Sequence, residues 1–319
     1  MQVRSSRSVS GATRRRILSG AAGLACASIL PAATGPNALI KIAPGIFIRR
    51  GIDAEATRAN RDAIGNAGFV IGSQSVAVTD PGGSHADGAW LRTEIRRRTR
   101  LPISHVIVSH GHPDHDFGAS AFVDDRAIFV GHQRLAAVYA ARGDYDRIRL
   151  AQILGDALAG RLVSPTRLVA EQASLPIDLG ERTITVTAHP TAHSPADLTL
   201  SDSTTGILFA GDLLFVDRVP ALDGSVRGWI AVLETMVAEG VRRAVPGHGP
   251  ALVSFPTAVV PLLRYLRALR DDTRAAIVRG LSIPAAIDVV GRSERGRWRL
   301  FDAYHGRNVT MAYKELEWE

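Results

Sequence analysis

A short stretch of the chain carries four side chains that could bind metal ions. Residues 109–115 read Ser-His-Gly-His-Pro-Asp-His. Residues two apart in an extended segment project to the same side, so His110 and His112 can hold one ion, and the intervening glycine and proline turn Asp114 and His115 toward a second. Imidazole nitrogen and carboxylate oxygen are ligands that zinc accepts in hydrolytic sites, where one coordination position stays open to water. The motif therefore predicts a metal-dependent hydrolytic site.

Three more candidate ligands follow downstream, each expected in a turn after an apolar strand. They are His193 in residues 192–197, Asp212 in Phe-Ala-Gly-Asp, and His248 in Val-Pro-Gly-His-Gly. Taken alone, each is weak, because a Gly-Asp or a Gly-His-Gly is usually only a turn. His189 lies four residues before His193 and is a rival, but the His-Ser-Pro-Ala-Asp context favours His193.

The order and spacing of these residues resemble the metallo-β-lactamase superfamily over most of residues 40–255. The resemblance implies an α/β fold, a four-layer αβ/βα sandwich with the site at one edge between the sheets. It also implies that Asp80, in Val-Thr-Asp-Pro-Gly, orders the loops without binding metal. The implied ligands of one zinc ion are His110, His112 and His193; those of the second are Asp114, His115 and His248; Asp212 would bridge the two.

The activity implied by this resemblance is hydrolysis of a carbonyl-type small molecule, whether ester, thioester, lactone or lactam. A hydroxide held by two zinc ions would attack, and Asp114 or a zinc-bound water would handle the proton, so Asp114 and Asp212 are the predicted catalytic residues. Iron or manganese stays open as an alternative to zinc. Two other functions stay open as well: β-lactamase activity of an all-His/Asp type, and a non-catalytic metal- or substrate-binding role.

A closer resemblance lies in residues 211–224 and in two C-terminal runs, 307–310 and 315–319. These are similar to exported metallohydrolases named for their association with quinoprotein dehydrogenase systems, also described as SoxH-like. The resemblance implies a periplasmic dehydrogenase system as a partner, and it supplies no physiological substrate. Asp217 and Arg218, just beyond Asp212, are expected near the mouth of the site.

The net charge of the 319-residue chain is +7, but its distribution argues against an anionic macromolecule as partner. Residues 1–35 hold five arginines and no acidic residue, so without them Lys and Arg fall from 38 to 33 against 31 Asp and Glu, leaving +2. Arg14-Arg15-Arg16-Ile17-Leu18, an apolar run and a small-residue exit resemble a twin-arginine export signal. We therefore expect a periplasmic protein without nucleic-acid partners and without a stable membrane span in its mature form. The one cysteine, Cys26, would leave with the signal.

The remaining pattern alternates strands and helices in one mature α/β domain. Domain boundaries are expected at 1–35 for the signal, 36–256 for the metallo-β-lactamase-type domain and 257–319 for a helical extension packed on it, with the oligomeric state open. Helices are expected at 87–98, 133–142, 145–159, 225–239, 257–280 and from 284 onward, and strands at 40–50, 68–80, 106–108, 127–130, 183–187 and 207–210. The C-terminal aromatic residues Trp298, Phe301, Tyr304, Tyr313 and Trp318 are expected mainly as packed core.

Overall fold

A computed structural model describes residues 38–319, which form thirteen β-strands and eight α-helices. The export signal predicted at residues 1–35 lies outside the described residues. The strands are β1 (Leu39–Ala43), β2 (Ile46–Arg49), β3 (Ala67–Ile71), β4 (Val76–Thr79), β5 (Ile103–Ile107), β6 (Ile128–His132), β7 (Arg167–Val169), β8 (Ser174–Asp178), β9 (Thr183–Ala188), β10 (Leu198–Asp202), β11 (Ile207–Phe215), β12 (Arg243–His248) and β13 (Val253–Ser254). The helices are α1 (His85–Arg98), α2 (Pro113–Asp116), α3 (Leu135–Leu154), α4 (Asp156–Ala159), α5 (Val226–Ala238), α6 (Phe255–Val278), α7 (Ile283–Ile287) and α8 (Phe301–Leu316), with 3-10 helices at Phe117–Asp125 and Arg292–Glu294.

The strands form two sheets whose order follows the chain closely. The first sheet runs from β1 to β7 in sequence order, antiparallel from β1 to β4 and parallel from β4 to β7. The second has the order β13-β12-β11-β10-β9-β8, with one parallel pair, β11 and β12. In β9, Ile184, Val186 and Ala188 are buried while the threonines between them are half-buried, because successive side chains of a strand point to opposite faces. This alternation gives each sheet an apolar face for the core.

Four layers result from the way these faces are covered. The inner faces of the two sheets pack on each other, as Ile48 and Ile107 of the first do with Ile184 and Phe209 of the second. Helix α1 covers the outer face of the first sheet, and α5, α6 and α8 cover that of the second. The predicted fold class, an αβ/βα sandwich with C-terminal helices, is confirmed.

The C-terminal helices bury most of their aromatic side chains against α5 and β11. Trp298 and Phe301 are buried, and Tyr304 and Tyr313 are half-buried. Trp318 is 85% exposed, so the expectation of a packed core is wrong at that position. No helix within residues 38–319 has the length and apolar character that crossing a membrane requires.

One helix prediction is corrected by the structure. The stretches 133–142 and 145–159 were expected as two helices, but α3 continues from Leu135 to Leu154 through Gly143. A Cβ at Gly143 would meet the side chain of Leu162, so the glycine allows close packing there and does not end the helix. The sequence pattern did not predict β7, β8, β10 and β13, and it indicated β12 only as the strand expected before His248.

Candidate metal centre

All seven candidate ligands meet at one edge of the sandwich, although they come from distant parts of the chain. Residues 110–115 follow β5, His193 lies between β9 and β10, and His248 is the last residue of β12. Asp212 was expected in a turn after a strand, but it lies within β11. The reason is Gly211, whose φ of +50° interrupts the regular pairing of β11 with β12 and lets the strand continue past the bend.

The first group of ligand atoms is formed by three imidazoles and one carboxylate. His112 Nδ1 lies 3.0 Å from His110 Nε2 and 3.0 Å from His193 Nε2. Asp212 Oδ2 lies 3.6 Å from His110 Nε2 and 3.5 Å from His193 Nε2. All four residues can offer one atom each to the same ion.

The second group has two imidazoles and shares the same bridging carboxylate. His248 Nε2 lies 3.2 Å from Asp114 Oδ2, and His115 Nε2 lies 3.5 Å from it. The other oxygen of Asp212, Oδ1, lies 3.1 Å from His115 Nε2 and 3.5 Å from His248 Nε2. Asp212 therefore stands between the two groups with one oxygen toward each.

Asp80 orients a histidine in each group through the ring nitrogen that faces away from the cluster. Its Oδ2 accepts hydrogen bonds from the Ser109 hydroxyl at 2.8 Å and from His115 Nδ1 at 3.1 Å. The Ser109 oxygen in turn accepts from His110 Nδ1 at 2.9 Å. These partners place the ring protons on the outer nitrogens, which leaves each inner Nε2 with a lone pair. Asp80 thus orders the site as expected, without belonging to either group.

The outer nitrogens of two other histidines are bound in the same way. His112 Nε2 donates to Asp223 Oδ2 at 3.1 Å, and His248 Nδ1 donates to the Ile64 carbonyl at 3.0 Å. His193 Nδ1 has no hydrogen-bond partner within residues 38–319. Its ring is held by packing, 5.1 Å from the Trp229 ring centre, and its backbone carbonyl accepts from Asp223 N at 2.9 Å.

The donor set fits a pair of metal ions. His110 and His112 each donate from the outer ring nitrogen, so their inner nitrogens face each other at 3.0 Å with no proton between them, an arrangement that a cation relieves. His115 Nε2 and Asp212 Oδ1 are buried and lack a hydrogen bond of good geometry among the described residues. Buried polar atoms without partners are costly, so these orphaned atoms also point to an ion.

The charge states that the protein imposes suit metal binding. Burial lowers the pKa of His193 to about 3 and holds the pKa of His110 well below its usual value, so both rings are neutral at pH 7. Burial alone would raise the pKa of Asp212, but the attraction of His115 and His248 outweighs it and holds the pKa well below the usual value. Burial opposes the charging of His115 too, yet the carboxylates of Asp212 and Asp114 raise its pKa well above the usual value. In the metal-free protein His115 therefore holds a second proton, which a cation bound beside the two carboxylates would displace.

Two glycines make room for the cluster. A Cβ on Gly247 would overlap Asp212 Oδ1, and a Cβ on Gly65 would lie 2.7 Å from His115 Nε2. Close approach of backbone to ligand side chains is therefore possible only with glycine at these positions. The Pro-Gly-His-Gly context of His248 carried this signal in the sequence.

Several residues around the cluster were not found from the sequence. The Ser109 hydroxyl holds the His110 ring and the Ile64 carbonyl holds the His248 ring. Asp223 holds the His112 ring, although the two residues are 111 positions apart in the chain. By contrast, His189 bonds to Thr199 at 2.8 Å and faces a different cleft, so the structure brings His193, and not its rival, into the cluster.

A cavity of about 700 Å³ opens on the cluster. Its walls come from α3, from the loop after β11 and from α8, so the C-terminal helices help to enclose it. Arg218 lines this cavity and is buried, which agrees with the position expected for it. A cavity of this size suits a small organic molecule.

The sandwich fold, with a two-part His/Asp cluster at its edge, defines a metal-dependent hydrolase. The sequence model of the metallo-beta-lactamase superfamily matches residues 60–248, more than half of the chain. The chain belongs to the metallo-beta-lactamase superfamily, as the motif resemblance predicted. A search of curated proteins gives no match.

Solved structures share this fold at low sequence identity. A metallo-beta-lactamase from Pontibacter korlensis is 16% identical, with a TM-score of 0.58 over 72% of this chain and 98% of that one. A metallo beta lactamase from Hirschia baltica is 15% identical, with a TM-score of 0.54 over 69% and 93%. TMB-1 is 15% identical, with a TM-score of 0.53 over 72% and 94%. At this level of identity the likeness concerns the fold.

Proposed function

We propose that this protein is a zinc-dependent hydrolase of a carbonyl-type small molecule, with two zinc ions per chain. The observation that carries the proposal is the position of Asp212, whose Oδ1 faces His115 and His248 while its Oδ2 faces His110 and His193. One carboxylate shared by two imidazole-rich groups is a donor set for a pair of ions. The cleft beside it has room for a small molecule.

The chain's own residues would bind and orient the reactants. His110, His112 and His193 would hold one ion, and Asp114, His115 and His248 the other. Zinc held by these residues would supply a water whose pKa is lowered to about 7 and a Lewis acid for a carbonyl oxygen. The buried walls formed by Phe215 and Leu222 limit the access of bulk water to this point.

Asp114 is the group that we propose takes the proton released during hydrolysis. Both carboxylates of the cluster line the cavity, but the side chain of Asp114 is 14% exposed against 3% for Asp212. Its Oδ2 contacts His115 and His248, so Oδ1 is the oxygen available to the cleft. A carboxylate in hydrogen-bond reach of the reacting water can act as general base.

The proposed place of action is the periplasm, reached through the signal at residues 1–35, with a periplasmic quinoprotein dehydrogenase system as partner, as the resemblance to the SoxH-like hydrolases implies. In support, both groups of ligands use only His and Asp, so the chemistry needs no thiol that an oxidising compartment would modify. Fusing residues 1–35 to a reporter protein tests whether this segment directs export to the periplasm. We expect export that is lost in an Arg14→Lys, Arg15→Lys double variant; export that survives this change would contradict it.

The activity is tested on the mature protein after its metal content has been measured by mass spectrometry. We expect about two zinc ions per chain and hydrolysis of at least one of four probes: nitrocefin, a lactone, a thioester and a 4-nitrophenyl ester. The activity should vanish on chelation and return with zinc, while iron or manganese as the native metal would show in the same analysis. Zinc-loaded protein that hydrolyses none of the four would favour a non-catalytic binding role. Preference for nitrocefin would identify a β-lactamase.

A further inference from the structure

Four arginines line the cavity that opens on the cluster, and only one of them is neutralised. They are Arg142, Arg149, Arg218 and Arg307. Arg142 forms ion pairs with Asp146 and with Asp223. The other three have no carboxylate partner at ion-pairing distance within residues 38–319.

Arg218 is the most unusual of the three because its charge is buried. The residue is only 4% exposed, its Nε has no hydrogen-bond partner among the described residues, and its Nη2 donates to the Tyr304 hydroxyl at 2.9 Å. Its Nη1 lies 3.3 Å from His248 Nδ1, which already donates to the Ile64 carbonyl and so offers no lone pair. A buried charge without a counter-ion is costly; the Arg218 guanidinium stacks on the Tyr304 ring, 5.1 Å from its centre, which offsets part of that cost, and an anionic ligand would supply the missing opposite charge.

Arg149 and Arg307 face the same cavity from two different helices, α3 and α8. Both are exposed, and neither side chain has a hydrogen-bond partner in the described part of the chain. Arginine forks bind carboxylate and phosphate oxygens in pairs of parallel hydrogen bonds. The guanidinium groups of Arg149 and Arg307 could therefore bind an anion from two sides of the cavity.

The acidic residues of the cavity do not cancel this charge. Asp114 and Asp212 belong to the cluster, and Asp223 is bound by Arg142 and His112. If two divalent ions occupy the cluster, as the proposed function requires, their positive charge exceeds the negative charge of its two carboxylates. The remaining wall includes apolar side chains, among them Ile287 and Met311.

We infer that the substrate is an anionic acyl compound: it carries a carboxylate or another oxyanion, which Arg218, Arg149 and Arg307 bind, beside an apolar portion. The inference rests on the proposed function for the reaction, and it adds the substrate class. It assigns a binding role to α8, because Arg307 reaches the cavity from that helix. Neutral esters of the same shape should be poor substrates.

The kinetic test uses two esters that differ only in charge: the mono-4-nitrophenyl ester of glutaric acid and its methyl 4-nitrophenyl counterpart. For the zinc-loaded protein we expect kcat/KM for the acid to exceed that for the methyl ester about tenfold or more, since a hydrogen bond to a charged group is worth about that factor. Arg218→Lys, Arg149→Met and Arg307→Met should each reduce the preference. Metal content is measured for every variant, because Arg218 contacts His248.

The binding test does not depend on turnover. It measures, by calorimetry, the affinity of zinc-loaded protein for the anilides that correspond to the two esters, in which the labile bond is replaced. We expect the acid anilide to bind about tenfold or more tightly than its methyl ester, and to lose this advantage in Arg149→Met and Arg307→Met. Arg147→Met and Lys314→Met are matched controls, because these exposed residues lie on the same two helices but do not line the cavity.

The two tests separate the inference from the function on which it rests. Arginine-dependent binding of the acid anilide without hydrolysis of either ester would support the anion site and count against hydrolysis of esters. Hydrolysis of both esters at equal rates, with equal binding of both anilides, would overturn the anion site and leave the hydrolase proposal standing. Equal losses in the control variants would also overturn it, since these would show a general effect of surface charge.

Discussion

Asn308, in the last helix, accepts a hydrogen bond from the backbone N–H of Leu222 at 2.9 Å. Its Nδ2 donates to the Pro220 carbonyl at 2.6 Å and to the Tyr265 hydroxyl at 2.8 Å. Asp223 follows Leu222 in the same loop and accepts a hydrogen bond from the outer nitrogen of His112, Nε2. One buried amide therefore ties the C-terminal helices to the loop that orients a candidate ligand.

Replacing Asp223 by alanine should weaken metal binding. The change removes the acceptor of His112 Nε2, and loss of such an outer partner lowers metal affinity about 10- to 100-fold. Competition with a chromophoric chelator measures the zinc affinity. Asp144→Ala is the matched control, since Asp144 is an exposed residue of α3 outside the cavity. Equal zinc affinity of the Asp223 variant and the native protein would contradict the role assigned to this carboxylate.

Asp212→Ala and Asp114→Ala should differ in the number of ions that they lose. Asp212 contributes an oxygen to both groups, so its removal should lower total zinc and activity together. Asp114 contacts only the second group, so its variant should keep about one ion per chain. Mass spectrometry of the purified variants gives the zinc content. An active Asp212→Ala protein with a full complement of zinc would rule out the bridging role.

Gly247→Ala should disturb the cluster without touching a ligand. The added methyl group would overlap Asp212 Oδ1 and push the carboxylate out of place. We expect loss of zinc together with lower thermal stability, because the neighbouring backbone is also in contact. Gly143→Ala is the control: its methyl group would meet only the movable end of Leu162 and Tyr139 Cβ, at the middle of α3. Normal zinc content in the Gly247 variant would show that Asp212 has room to move.

Asp197 should make the stability of the metal-free protein depend on pH. Burial raises the pKa of this carboxyl to about 7, against the lowering effect of the Ser194 hydrogen bonds. The native state therefore keeps a proton that the unfolded chain releases near pH 4, so the free energy of unfolding falls as pH rises from 4 to 7. Between pH 5 and pH 8 the ionisation of Asp197 should lower the free energy of unfolding by about 3 kcal/mol.

Urea denaturation of the metal-free protein and of an Asp197→Asn variant at both pH values isolates this contribution. The difference in unfolding free energy between the two proteins should change by about the stated 3 kcal/mol, in favour of the variant at pH 8. A difference that is the same at both pH values would mean that Asp197 is already ionised in the native state at pH 5.

The sequence could indicate the candidate ligands because four of them are neighbours in the chain. Spacing alone places His110 and His112 on one side of an extended segment, and no knowledge of the fold is needed for that. Asp223 could not be found in this way, since its contact with His112 depends on how a loop is held by Asn308 from α8. Contacts across such distances in the chain follow from packing and not from local pattern.

The errors have a similar origin in local ambiguity. A glycine suits a turn, a bend within a strand, or a close contact, and the residues beside it do not say which. At Gly211 the chain bends and the strand continues, so Asp212 lies inside β11. At Gly143 the helix continues because Leu162 packs there. In both places the close neighbour, Ser109 at Gly211 and Leu162 at Gly143, comes from another part of the chain.

The two hydrogen bonds that Asp80 accepts, from Ser109 and from His115, have a thermodynamic consequence. Ser109 holds the ring of His110 in one group, and His115 belongs to the other, so a single carboxylate fixes one ligand on each side. Filling either group would order Asp80 and thereby part of the empty one. Because such coupling is reciprocal, whatever effect the first ion has through Asp80 on the affinity for the second, the second has equally on the affinity for the first.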